Sequence, residues 1–285
     1  MLNYRLHENG WTVIVDEFDI KESTQDDINL IARLIATYTC VVFKNQKLTV
    51  PDELRIIRMF KNPEPLYETT NPFFAEFAAD ATLDPEGILC RVTGELRDGK
   101  PGLAGWEDEL VWHCNHTHRW DRRPIVWLYG VRDTQGSRTS WNNTIPAYSD
   151  LSQEIKDQIQ NLKSIYGSID APKAADHTEK HIELNWTPSL VHTNIANKTG
   201  MYFSPLQVEE FVGLPREESD QIKQLLAEHV LQEKYIYHHD WEDGDLVLSE
   251  QWLGIHKRWP FKDMSKRLLH RAAFDFPEQD YERLL

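Results

Sequence analysis

The closing part of the chain sets the tightest constraint on its fold. Between residues 235 and 275 four short runs follow one another, YIYHHDW, GDLVLSE, WLGIHKRW and RLLHRAAFD. Segments of them alternate polar and apolar residues, the period of a strand with one face buried. Strands this short do not bury an apolar face alone. They need a facing sheet or a closed barrel. Upstream, GILCRVTGEL (87–96), PIVWLYGVRD (124–133) and GSRTSWNNT (136–144) add further strands. Helices are fewer. STQDDINLIARLIATYT carries Ile28, Ile31, Leu34 and Ile35 on one stripe, behind the cap candidates Ser23 and Thr24. CVVFKNQ follows as a buried strand. TVPDELRIIRMFKN then has Pro51 in its first turn, with Leu54, Ile57 and Met59 or Phe60 facing inward. A helix is also expected over 148–167, and another over 215–234 with Ile222, Leu225 and Leu226 on one face. The expectation is a β-sandwich or barrel flanked by helices. No repeat or low-complexity linker divides it, so residues 1–285 read as one domain.

Charge and cysteines narrow the setting. With 31 basic against 46 acidic residues the chain carries −15, which disfavours a general nucleic-acid or anionic-membrane binder. Cys40, Cys90 and Cys114 are odd in number and scattered, which reads as a reducing compartment. No signal peptide is visible, and no run approaches the roughly 20 apolar residues a membrane span needs. The cytoplasm is the expected location. A homo-oligomer stays open.

LVWHCNHTHRW (110–120) is the candidate for chemistry. In an extended strand His113 and Asn115 share one face, while Cys114 and His116 take the other. Two ligand-type residues at i and i+2, completed by a distant histidine, can hold one face of a metal octahedron and leave the remaining corners open. That is the logic of the two-histidine, one-carboxylate iron site. On spacing alone a surface or hydrogen-bonded histidine explains each imidazole as well. A zinc knuckle is disfavoured because no second ligand pair stands at zinc-finger spacing. Trp112, Trp127 and Trp141 sit in apolar strands and read as core rather than as stacking platforms.

Residues further along give the pattern a context. His256 lies in SEQWLGIHKRW and Arg267 in KRLLHRAAFD. With VWHCN, these segments resemble the WHxD, late-histidine and RxxHR motifs of the taurine dioxygenase (TauD/TfdA) family of Fe(II)- and 2-oxoglutarate-dependent oxygenases. YTCVVFKNQKLTVPDELRIIRMFKN resembles the family's opening strand and helix, and GSRTSWNNTIPAYSDLS its GGDTxFxxxxxAYxxLS run. NKTGMYFSP and DWEDGDLVLSEQWLGIH also look like family segments, so the likeness covers most of the chain in the family's order. It implies an α+β fold with a double-stranded β-helix (jelly-roll, cupin-like) core flanked by helices. It further implies His113 and His256 as iron ligands, with Asn115 at the carboxylate position. Thr139 and Arg267 would hold the far carboxylate of 2-oxoglutarate. Arg271 would contact an anionic substrate or the cosubstrate, although a surface salt bridge explains it equally. Fe(II), 2-oxoglutarate, O2 and a small-molecule substrate are the implied cofactor and partners, and oxidation of a C–H bond with release of succinate is the implied reaction.

Asn115 departs from the pattern. It has the shape of Asp and an amide oxygen that can coordinate, but no charge to set against a divalent cation. Four outcomes are open. The site turns over with Asn115 as ligand; or an exogenous anion fills that corner, as in halogenating relatives; or Glu250, Asp108 or Glu109 supplies a carboxylate; or the fold has become a binding protein. For the substrate, LYETTNPFF (66–74) and RVTGELRDGKPGLAGWEDEL (91–110) are the suspected lining, with Asn71, Arg91 and Arg271 as polar handles. The acidic GWEDEL suits an amine, but a solvated acidic loop explains it too. The substrate is expected to be a small polar metabolite.

Overall fold

The computed structural model describes residues 2–65, 83–99, 101–115, 117, 123–167 and 187–277. The chain opens with β1 (Arg5–Leu6), β2 (Thr12–Val15), α1 (Gln25–Tyr38), β3 (Cys40–Phe43) and α2 (Val50–Met59). Its middle holds β4 (Cys90–Val92), β5 (Leu110–His113), β6 (Ile125–Arg132), β7 (Arg138–Asn143), α3 (Thr144–Ser149), α4 (Gln153–Ile159) and β8 (Ser164–Tyr166). Then come β9 (Val191–Thr193), β10 (Thr199–Met201), β11 (Val208–Phe211) and α5 (Arg216–Val230). The close is β12 (Ile236–Asp240), β13 (Leu246–Glu250), β14 (Gly254–Arg258) and β15 (Leu268–Phe274).

The four closing runs are all strands, and they divide between two sheets. A seven-stranded sheet runs β1-β2-β3-β13-β6-β15-β4, antiparallel except for the β2–β3 pair. A four-stranded sheet runs β12-β7-β14-β5. Strand alternation sorts the larger sheet's side chains into two cores. Ile125, Trp127, Tyr129, Leu246, Leu248, Ala272 and Phe274 pack under α1 and α2. Val126, Leu128, Val247 and Leu269 join Trp141, Tyr237 and Trp241 of the smaller sheet and its flank in a separate cluster. The first core is filled by helices. The second holds the pocket.

α1 begins with a capping box between Thr24 and Asp27 and ends where Thr39 turns left-handed at φ 61°. α2 has the same device in Thr49 and Asp52, with Pro51 in its first turn. Such caps stabilise a helix by about 1 kcal/mol each. They fix where the apolar stripes Ile28/Ile31/Leu34/Ile35 and Leu54/Ile57 meet the sheet. One α2 residue breaks the stripe. Glu53 is fully buried and bonds both Trp127 Nε1 (3.0 Å) and His270 Nδ1 (2.6 Å), tying α2 to β6 and β15.

Two expectations change. β1 and β2 precede the helix–strand–helix opening, since TVIV is buried at every position beside β3. The helix expected over 148–167 is instead α3, α4 and β8. Ser152 accepts a hydrogen bond from Ile155 N–H and so starts a new helix. Tyr166 is buried and pairs with Val208 of β11, which commits Ser164–Tyr166 to a strand. All three cysteines are buried and unbridged. Among the described residues no helix is long and apolar enough to cross a membrane.

Just past β15, Asp275 is enclosed and accepts a hydrogen bond from Asn62 Nδ2 at 2.8 Å. Burial raises its carboxyl to about 7, against the opposing effects of the Asn62 bond and the Arg123 charge. A folded-state carboxyl above its unfolded value holds its proton better in the native chain. Its stabilising contribution is therefore present at low pH and is lost as pH rises toward 7. Asp275→Asn is expected to melt higher than the parent at pH 8, with the gain vanishing by pH 4. Thermal melts across that range check this, and an equal shift at both pH values would contradict it.

Candidate active site

The pocket is assembled by strand register. His113 of β5 stands directly across from His256 of β14. On the other side β14 pairs with β7, setting His256 opposite Trp141 and Arg258 opposite Thr139. Directly opposed residues share a face, so His113, His256, Arg258 and Thr139 point the same way. β15 alternates similarly. Leu269 and Arg271 line the cavity with the preceding Arg267, while His270 faces Glu53 of α2. The resulting cavity is about 720 Å³, counted out into its mouth. Val92, Leu103, Leu110, Val126, Leu128 and Leu269 form its apolar wall.

The imidazoles converge. The His113 and His256 rings lie 4.2 Å apart between centroids. His113 Nδ1 donates to the Val111 carbonyl at 2.7 Å, which leaves Nε2 as the nitrogen carrying the lone pair. Burial first, then the charges of His113 and Arg271, hold His256 well below the usual imidazole range, so it stays neutral at pH 7. A neutral imidazole is the state a metal ligand requires. Asn115, just beyond β5, joins them on the cavity wall, while Cys114 turns into a third cluster with Met201, Phe203 and Trp252, its thiol on the Gln251 and Gly254 carbonyls. The alternation read from LVWHCN therefore holds through the strand end.

Two glutamines fix that end, and no sequence spacing marked them. Gln207 accepts from Cys114 N–H (2.8 Å) and donates to its carbonyl (3.0 Å). Gln251 accepts from Asn115 N–H at 2.8 Å and donates to the Arg123 carbonyl at 3.0 Å. A glutamine amide offers both a donor and an acceptor, so one side chain can replace a missing strand neighbour.

The anion side is equally built. Arg267 is 1% exposed, and its side chain contacts Met264 Sδ at 3.7 Å. Its Nε and that of Arg271 are buried without a hydrogen-bond partner. Burial, and then the charge of Arg258, bring the Arg267 guanidinium down to about 9, still protonated at neutral pH. Thr139 Oγ1 accepts from Trp241 Nε1 at 2.9 Å and keeps its own proton for another acceptor. Arg258, which the sequence did not single out, is spent on the 104–108 loop through the carbonyls of Ala104, Trp106 and Asp108. That loop approaches β4 closely enough that a Cβ on Gly102 would meet the Arg91 carbonyl at 2.5 Å.

No Asp or Glu lines the cavity among the described residues. The three carboxylates considered as substitutes are engaged elsewhere or turned away. Glu250 accepts from Asn194 Nδ2, Glu109 pairs with Lys257 at 2.6 Å, and Asp108 meets Arg258 through its backbone. Nor do three His, Cys, Asp or Glu residues cluster as a metal site among the described residues. Arg91 is also displaced from its expected place. It pairs across from His270, on the face away from the cavity, and Val92 lines the wall instead. Asn71 lies outside the described residues, as do 66–74 as a whole. Two imidazoles, an amide oxygen and two guanidiniums, with no carboxylate among the described lining residues, fit a divalent transition metal beside a dicarboxylate.

The model of the taurine catabolism dioxygenase TauD, TfdA family matches residues 5–273. The chain belongs to this family. Among TauD/TfdA relatives, the alpha-ketoglutarate-dependent 2,4-dichlorophenoxyacetate dioxygenase of Cupriavidus pinatubonensis is 22% identical over 270 residues, 91% of this chain and 92% of that protein. Pentalenolactone F synthase of Streptomyces arenae is 23% identical over 206 residues, 65% of this chain and 69% of the relative. The fold is that of solved TauD-type structures. AAD-2 in complex with Mn(II) and N-oxalylglycine superposes with a TM-score of 0.79 at 20% identity, over 98% of this chain and 99% of that one. A taurine dioxygenase from Burkholderia xenovorans gives 0.75 at 18% identity, over 96% and 89%.

Proposed function

We propose that the chain is an Fe(II)- and 2-oxoglutarate-dependent dioxygenase that oxidises a C–H bond of a small organic acid with an apolar body. The observation that carries this is the cavity, without a carboxylate among its described lining residues, in which His113, His256 and Asn115 meet Thr139, Arg267 and Arg271. His113, His256 and the Asn115 amide oxygen would hold the metal; Arg267 and Thr139 would hold the far carboxylate of 2-oxoglutarate. Arg271, one strand period from Leu269 on the same wall, is the cation for the substrate's acid group, and the apolar wall packs its body. The bound iron and cosubstrate supply the oxidising power, with 2-oxoglutarate leaving as succinate and carbon dioxide. The protein orients the target carbon and keeps water from it. We read the facing sheets as the halves of a double-stranded β-helix, the whole of 1–285 as one domain, and its setting as the cytoplasm.

Asn115 favours a second reading, a family member that binds its ligands without turning over. The two separate in one assay. Anaerobic protein is mixed with Fe(II) and 2-oxoglutarate, followed in the visible for the metal–cosubstrate band, then exposed to oxygen and assayed for succinate. Succinate from the native chain supports the enzyme. A band without succinate, and succinate restored only in Asn115→Asp, supports the binding protein.

A further inference from the structure

We infer that 2-oxoglutarate binds this chain without a metal, and that the divalent cation is held tightly only once the dianion is in place. The inference rests on the reading above, and it concerns the order in which the site fills. In the described structure the cavity carries buried positive charge and no negative charge. Arg258 spends both terminal nitrogens on three loop carbonyls, whereas Arg267 has only a thioether for its side chain; the Nε atoms of all three arginines are buried without a partner. An unpaired buried charge is costly, and it is costly continuously in the empty protein. A dianion relieves that cost without help from a metal. The Arg267 guanidinium and the Thr139 hydroxyl are already in place to receive it, with the Arg271 charge on the same wall, so little ordering has to accompany binding.

The cation faces the opposite situation. It would enter a cavity that is already positive, toward two imidazoles and an uncharged amide. None of these donors offsets its charge. Carboxylate oxygens do, and among the described lining residues there are none, so the anionic donor has to arrive with the cosubstrate. Binding free energies are reciprocal between sites. Whatever factor the dianion adds to metal affinity, the metal adds to dianion affinity. Aspartate at 115 would carry its own countercharge on the same backbone position and weaken the dependence. The single atom group that distinguishes Asn from Asp thus sets the filling order.

The test uses the full chain freed of metal by a chelator. Calorimetric titration with 2-oxoglutarate in excess chelator is expected to give saturable binding, retained in His256→Ala and lost in Arg267→Ala, with thermal melts confirming that both variants fold. Arg267→Lys serves where the alanine variant does not fold. Free Mn(II) is then followed by electron paramagnetic resonance, with and without N-oxalylglycine. The analogue is expected to raise Mn(II) affinity about 100-fold in the native chain and less than about tenfold in Asn115→Asp, within the usual range of coupling. Mn(II) bound as tightly without the analogue as with it would overturn the inference while leaving the oxygenase reading intact. Dianion binding that requires prior metal would do the same. If neither dianion nor Mn(II) binds in any combination, the reading of the site falls as well.

Discussion

Arg267→Lys should lower 2-oxoglutarate affinity by about 10²–10³-fold. Two charge-assisted hydrogen bonds from a planar fork stabilise a carboxylate by roughly 1.5–3 kcal/mol each, and an ammonium on a flexible stem cannot reproduce the pair. At about 1.4 kcal/mol per tenfold, losing most of that fork gives the stated range. The side chain is 1% exposed, so no water is at hand to bridge the gap. The measurement is the calorimetric Kd, or the KM for 2-oxoglutarate if the chain turns over, with substrate KM as control. An equal loss in both would point to a distorted cavity, and an unchanged Kd would remove Arg267 from the site.

Glu53→Ala should cost about 3–5 kcal/mol of stability, because it strands His270 and the Trp127 indole N–H in a dry core. For a chain of this size that corresponds to a fall in Tm on the order of 10 °C. Glu53→Gln keeps an acceptor for one partner and should lose less. Urea unfolding of the two variants checks the ranking, and a loss below about 1 kcal/mol for the alanine would show that α2 is held by its apolar face alone. His270 lies one residue from Arg271, so the same strand is anchored on one face by α2 and lines the cavity with the other.

The four closing strands were legible because a few residues suffice, by alternation in YIYHHDW and by a short apolar run in GDLVLSE. That His113 and Asn115 share a face was legible for the same reason, since alternation says which neighbours do; His256 came from the likeness of SEQWLGIHKRW to a family segment. Arg91 failed because sequence gives the alternation of a strand but not which face meets the cavity, and that choice was fixed by pairing with His270. The 148–167 helix failed because Ser152 and Tyr166 carry their information in a cap and a long-range pairing rather than in periodicity. Arg258, Gln207 and Gln251 were invisible because their partners are backbone groups of distant segments. No residue pattern encodes a carbonyl.

The glutamine pair has a consequence for how the site behaves over time. β5 is the outermost strand of its sheet, and such a strand has a neighbour on one side alone. His113 and Asn115 therefore stand where a sheet ordinarily frays first. Gln207 and Gln251 act as substitute rungs on that strand's loose end, so the rigidity of one wall of the cavity comes from two side-chain amides rather than from the ladder. The steadiness of that wall is set at two positions that hold the strand end by its backbone, and it can drift in evolution without replacing a single ligand side chain.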